Sequence, residues 1–174
     1  MIIGQLGPEQ PAYRLHSPRW SFQPLSGAGA GKSGGRLNRV GVDALYLALE
    51  PETAIAEFRQ DDPLVRPAMV VAYRITLGRV VDFRGGYDPA HWDPLWQELT
   101  CNWKRLAFLD EIEPPSWVLG DLVRQAGIAA VLFPSTRRPG GINLVVYPDL
   151  LGPDDAMVVH DPKGELPVDQ ASWT

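Results

Sequence analysis

Six residues have types and settings suited to handling a charged nucleotide: Arg14, Arg36, Tyr46, Glu57, Ser135 and Asn143. Arginine presents a planar fork that bonds two phosphate oxygens at once, so Arg14 in an alternating stretch and Arg36 at the end of a glycine run could grip a pyrophosphate. Taken singly, each is more simply a surface ion pair. Tyr46 offers its ring to a ligand or to the core. Glu57 falls beside Ile55 and Phe58; burying a carboxylate there unpaired is costly, so it reaches solvent, has a partner or has a purpose. Ser135 follows a strand-like run and a proline, where a hydroxyl bonds loop backbone or a ligand. Asn143 interrupts a stretch of Ile, Leu and Val, as a buried hydrogen-bonding residue or a ligand contact. A loop backbone, an arginine, a tyrosine and a carboxylate fall within residues 24–59, a set that suits a phosphate-bearing nucleotide with a reactive sugar carbon.

The elements that must position these groups follow from periodicity. Residues 12–16 alternate as a strand, with Tyr13 and Leu15 on one face and Arg14 and His16 on the other. Residues 17–43 show no period and form a long loop, of the kind that is functional or disordered. Residues 44–48 are a second strand. Pro51 suits a helix's first turn, and residues 51–60 form a helix with Ala54, Ile55 and Phe58 as its buried stripe and Glu57 at the stripe's edge. Residues 69–76 are rich in β-formers and pair with residues 79–83 through a turn at Leu77-Gly78. Helices are expected at 94–109 and at 117–125, the second capped by Gly127. Strands follow at 128–133, 142–147 and 156–160, and the polar tail over 160–174 reads as loose.

Length and composition narrow the class. A chain of 174 residues is one domain, 1–174, able to remove roughly two-thirds of its unfolded surface from water. Glycine and proline, 17 each, are abundant but aperiodic, which points to a loop-rich α+β domain. The net charge of −5 argues against general affinity for nucleic acid or an anionic membrane. One cysteine, Cys101, makes no internal disulfide, and His16, His91 and His160 share no metal-ligand spacing, so no metal is expected. The N-terminus has no signal-peptide pattern and no apolar run is long enough to span a membrane, so the expected location is the cytoplasm.

Two phosphate-loop patterns lie in the glycine run. Gly29 to Gly34 fits the dinucleotide-binding glycine spacing, but Pro24 precedes it and Gly35 and Gly41 follow, where a strand and a helix are required. Gly31-Lys32-Ser33 resembles the end of a P-loop, the alternative reading of a nucleotide kinase or NTPase; the required glycine is Ser26, and no helix is expected after Ser33. No glycine-flanked elbow surrounds Ser135, which disfavours a serine hydrolase.

In order and spacing, the pieces resemble the RES family, named for arginine, glutamate and serine. The resemblance runs through Tyr13-Arg14-Leu15, Pro24 to Ala30, Gly34-Gly35-Arg36-Leu37-Asn38, Ala44 to Ala48, Glu52 to Glu57, Pro134-Ser135-Thr136 and Asn143-Leu144-Val145. It implies an α+β, ADP-ribosyltransferase-like fold with split mixed or antiparallel sheets and helices packed around them. It further implies a toxin of a bacterial toxin–antitoxin pair that consumes NAD without metal, with a cognate antitoxin as partner. Arg36, Glu57 and Ser135 would be the catalytic trio; Arg14, Tyr46 and Asn143 would line the NAD pocket. Transfer of ADP-ribose to a target protein is expected, with an NAD glycohydrolase or phosphorylase as the alternative. The family usually carries tryptophan where this chain has Leu37, which leaves open how the arginine loop packs. Residues 84–126 match least well.

Overall fold

The computed structural model describes residues 1–171. Six strands carry the architecture: β1 (Ile3–His16), β2 (Leu45–Ala48), β3 (Met69–Asp82), β4 (Ala130–Pro134), β5 (Ile142–Val146) and β6 (Ala156–Val159). They group into two well-paired halves. In one, β3 lies antiparallel to β1 from Ile3↔Val81 to His16↔Met69 and carries β6 on its other edge. In the other, β5 lies antiparallel between β2 and β4. Two thin seams join the halves: the antiparallel pair Tyr13↔Ala48, and the parallel pairs Val81↔Val131 and Asp82↔Leu132. The sheet thus closes on itself in the order β1-β2-β5-β4-β3. This is the mixed α+β fold with split sheets that the family resemblance implies.

Strand alternation divides the core into two layers. Leu45, Leu47, Leu132, Leu144 and Val146 pack inside the closed sheet with Tyr73 and Ile75 of β3. Val131, Phe133, Val145 and Tyr147 face outward and pack under Leu119 and Val123 of a helix at Pro115–Gln125 and under Trp92 and Trp96. The other helices are Ala28–Ser33, Pro51–Arg59 and Trp103–Phe108. In chain order these four are α1 to α4. Gly127, at φ 64°, ends α4 as expected, with its N–H on the carbonyl of Arg124 and that of Ile128 on Val123.

Five expectations need correction. No turn interrupts β3: Gly78 is not among the left-handed glycines, as a tight two-residue hairpin would favour, and β1 runs back to Ile3 to pair along the strand. β1 hid its length because prolines interrupt it: Pro8 falls in the register shift between Leu6↔Leu77 and Gln10↔Ile75, and Pro11 sits where β1 has β3 alone as registered partner, both places that tolerate a missing N–H. The loop over 17–43 contains α1, whose N-cap Gly27 packs so tightly on Ala44 that an added Cβ would lie 2.8 Å from the Ala44 nitrogen. Residues 94–109 form a 3-10 helix (Pro94–Thr100) and then α3, because the Asn102 side chain accepts the Arg105 N–H and starts a new helix. The tail is tied as far as Leu166, which packs against the barrel interior while Asp161 accepts the N–H groups of Glu165 and Leu166; residues 172–174 of that tail lie outside the described residues.

One glycine sets the distance between α4 and the arginine loop. A Cβ on Gly120 would lie 2.1 Å from the Leu37 carbonyl oxygen, whereas one on Gly29 in α1 would meet nothing within 4 Å. Gly120→Ala should therefore cost about 2–3 kcal/mol and lower Tm by roughly 5–10 °C, while Gly29→Ala should hold or raise it. Thermal melts of both variants check this; a Gly120→Ala melt matching the wild type would mean that α4 does not seat on Leu37.

Candidate active site

A cavity of about 780 Å³ opens along the seam where Tyr13↔Ala48 alone joins the halves, a size suited to a small-molecule ligand. Arg14, Arg36, Tyr46, Glu57 and Asn143 all line it. Ser135 stands one bond behind.

Glu57 is fixed from the sheet side. Asn143 Nδ2 donates to Glu57 Oε1 at 2.6 Å and Ser135 Oγ donates to the same oxygen at 2.7 Å. The Ser135 hydroxyl also accepts the N–H groups of Arg137 and Arg138, at 3.0 and 3.1 Å, so its bonding is spent on holding Glu57 to the turn after β4. Oε2 has no protein donor among the described residues. Asn143 is 7% exposed, and with its amide nitrogen on the carboxylate, its buried Oδ1 has no partner among the described residues. Gly141 brings the turn close to α2: a Cβ there would lie 2.4 Å from Thr53 Oγ1. Arg137 pairs with Asp61 and Arg138 with Glu50, which fastens the turn at both ends of α2.

The arginine loop is held by Tyr46. Its hydroxyl accepts the Leu37 N–H at 2.9 Å and donates to Asn38 Oδ1 at 2.8 Å, and burial pushes the phenol well above its usual range. Asn38 Nδ2 in turn donates to the carbonyls of Ala30 and Val42. Gly35 makes this possible, because a Cβ there would lie 2.5 Å from the Tyr46 oxygen. Leu37 fills its place fully buried, with its carbonyl accepting from Tyr147 Oη at 2.7 Å, so the loop packs firmly without the family's tryptophan.

Each pocket arginine is anchored by one nitrogen. Arg36 Nη1 donates to the carbonyls of Leu99 and Cys101, at 2.9 and 3.0 Å, where the chain breaks before α3. Arg14 Nη1 donates to the Ser26 carbonyl at 3.1 Å. Burial lowers both guanidinium pKa values, opposed at Arg36 by Cys101, Glu57 and Tyr46 and at Arg14 by Tyr73. Neither forms an ion pair among the described residues, so both desolvated charges favour an anion in the cleft.

Sequence reasoning missed two parts of this site. Asn38 is the hub of the loop, and a buried asparagine between Leu37 and Arg39 carried no periodic signal. Residues 100–104 form a wall of the cleft; the Asn102 cap was the sign that a helix starts there. The phosphate-loop patterns fail as expected: α1 ends at Ser33 instead of beginning there, and Lys32 is exposed and outside the cleft lining. Among the described residues no three His, Cys, Asp or Glu side chains gather as a metal site requires, and no helix is long and apolar enough to cross a membrane.

A split, closed mixed sheet thus carries a carboxylate and two desolvated arginines at its seam. The chain belongs to the RES domain family, whose model matches residues 11–169. A search of curated proteins gives no match. Among solved structures, a chain of the M. tuberculosis MbcT–MbcA toxin–antitoxin complex is similar in fold, with a TM-score of 0.59 at 21% identity over 91% of this chain and 85% of that one.

The neighbour of Arg14 supplies a pH test. His16 Nε2 donates to Tyr73 Oη at 2.8 Å, and Tyr73 Oη donates to the Pro24 carbonyl at 2.8 Å. Burial, aided by Arg14, lowers the His16 pKa to about 4. The folded state thus binds fewer protons than the unfolded state between the two pKa values. His16's share of stability is complete above about pH 6.5 and lost as pH falls toward 4, by about 3 kcal/mol in all. Denaturant melts of wild type and His16→Gln across that window should differ in slope; equal slopes would show that His16 is not held neutral.

Proposed function

We propose that this chain is the toxin of a toxin–antitoxin pair that binds NAD and breaks its nicotinamide–ribose bond. One observation carries the reading: Glu57 has one oxygen pinned by Asn143 and Ser135 and the other without a donor among the described residues, in a cleft that two half-buried arginines line. Cleavage of that bond passes through an oxocarbenium-like centre, as glycoside cleavage does. Glu57 Oε2 accepts from a ribose hydroxyl and offsets the growing positive charge. Arg14 and Arg36 use their remaining N–H groups on the pyrophosphate, and the Tyr46 ring packs on the nicotinamide or ribose. Ser135 and Asn143 act by holding the carboxylate, so they are positioning residues.

ADP-ribose then passes to an acceptor. Protein, water and phosphate acceptors share the cleavage step, and a target protein is the favoured acceptor. The similar fold in a toxin–antitoxin complex supports a cognate antitoxin as partner, and expression of the chain should arrest bacterial growth unless that antitoxin is co-expressed. Equal growth with and without it would remove the toxin reading and spare the enzymatic one.

Glu57→Gln isolates the charge, because the amide oxygen can keep both bonds made by Oε1. Nicotinamide release from NAD should fall roughly a hundredfold or more, on the order of 3 kcal/mol, with little change in Tm. Glu52→Gln, exposed in the first turn of α2, should stay within about threefold of wild type. Full activity in Glu57→Gln, or the same loss in both, would place the chemistry elsewhere.

A further inference from the structure

We propose that Trp117, in the first turn of α4, is the positioning residue for Arg36; this rests on the reading above of Arg36 as a group that grips a pyrophosphate. The Trp117 indole Nε1–H donates to the Gly35 carbonyl at 2.8 Å. That carbonyl belongs to the peptide unit immediately before Arg36. The unit immediately after it is held as well, by the Leu37 N–H on Tyr46 Oη at 2.9 Å. Peptide units are rigid planes, so fixing the two that flank one Cα restricts the φ and ψ that aim its side chain. The carbonyls of Leu99 and Cys101 then hold the guanidinium at the far end.

The face of α4 that carries Trp117 meets every second residue of the arginine loop. Trp117 bonds to Gly35, Gly120 approaches the Leu37 carbonyl, and Asp121 Oδ2 accepts from Arg39 Nε at 2.6 Å. Residues three and four apart share a helix face, so these three contacts form one surface. Arg36, between them in sequence, is turned toward the cleft, which it lines and Trp117 does not. The indole is itself held in place. The Arg39 guanidinium carbon lies 5.9 Å from its ring centroid, and the Trp103 ring, on the cleft wall, lies 6.4 Å away at 40°. Gly34, at φ 73°, passes along the indole edge, where a Cβ would lie 3.3 Å from Trp117 Cζ2. The glycine pair before Arg36 thus serves two holds: Gly34 leaves room for Trp117 and Gly35 for Tyr46.

The test removes the donor from the full chain. Trp117→Phe deletes the N–H and keeps an aromatic ring; benzothienylalanine in place of Trp117, with sulfur for the N–H, keeps the ring's size as well. In ligand-free, isotope-labelled protein, the heteronuclear NOE of the Arg36 Nε–H should fall in both variants. That of Arg14, held by the Ser26 carbonyl, should stay at its wild-type value. KM for NAD should rise by about tenfold with kcat within about threefold, because a grip on the pyrophosphate acts equally before and at the transition state. In an Arg36→Ala background the same replacements should leave KM where it is, since the group they work through is gone. An unchanged Arg36 signal, or equal loss at Arg36 and Arg14, overturns the proposal whatever happens to NAD. So does an unchanged KM in a protein that cleaves NAD. Loss confined to Arg36 in a protein that does not cleave NAD supports the positioning role and removes the reaction instead.

Discussion

The bond pair at Glu57 Oε1 is the contact on which the rest of the cleft depends. Asn143 comes from β5, Ser135 from the turn after β4 and Glu57 from α2, so one oxygen fastens to the β2-β5-β4 half a helix that also packs on β1 across the sheet's weakest seam. The seam has a single registered pair, Tyr13↔Ala48, and hydrogen bonding between strands cannot by itself hold the halves at a fixed spacing there. Charge-assisted bonds, about twice as strong as neutral ones, supply what the ladder lacks. Ala48 itself pairs with Asn143, so the strand that closes the seam also carries the residue that fixes the carboxylate.

A second constraint comes from the backbone. The chain could have run as one helix from Pro94 to Phe108, and the spacing of Leu95, Leu99, Trp103 and Leu106 suggests it. Breaking it at Cys101 turns the carbonyls of Leu99 and Cys101 to Arg36, the second shared with the Trp103 N–H. A guanidinium so anchored loses rotamer freedom before any ligand arrives, which lowers the cost of ordering it on binding. The break also turns Trp103 and Lys104 toward the cleft. The segment that looked least like the rest of the family thus forms one wall of the site.

These examples show where the sequence was legible. Residue type alone left Arg14, Arg36, Tyr46, Glu57 and Asn143 with plainer readings; the family resemblance grouped them as a pocket, and the structure brings them together with Ser135 behind. Elements with a clean local period, β2, α2, α4 and β5, fell within a residue or two of expectation. What stayed hidden depends on partners distant in sequence. β3 is continuous because β1 reaches back to Ile3, and nothing near Gly78 encodes that. Asn38 matters because Tyr46, eight residues on, needs an acceptor. Tertiary pairing decided these positions, and a window of local residues does not contain it.

The cleft is also where the protein departs from its own best stability. Among the described residues, two guanidinium groups are desolvated without a carboxylate partner, and Asn143 Oδ1 is buried without a donor. Each has a cost that a purely structural core would avoid. Glu57 could have neutralised Arg36, whose pKa its charge already raises, yet its Oε1 is taken by neutral donors and no ion pair forms. That separation keeps a carboxylate and two cations available in one cavity at once, as a ligand with both a polyphosphate and a developing sugar cation would demand. On the proposed reading, the anion offsets the arginines' desolvation on binding, and the carboxylate is left to act only when the sugar becomes positive.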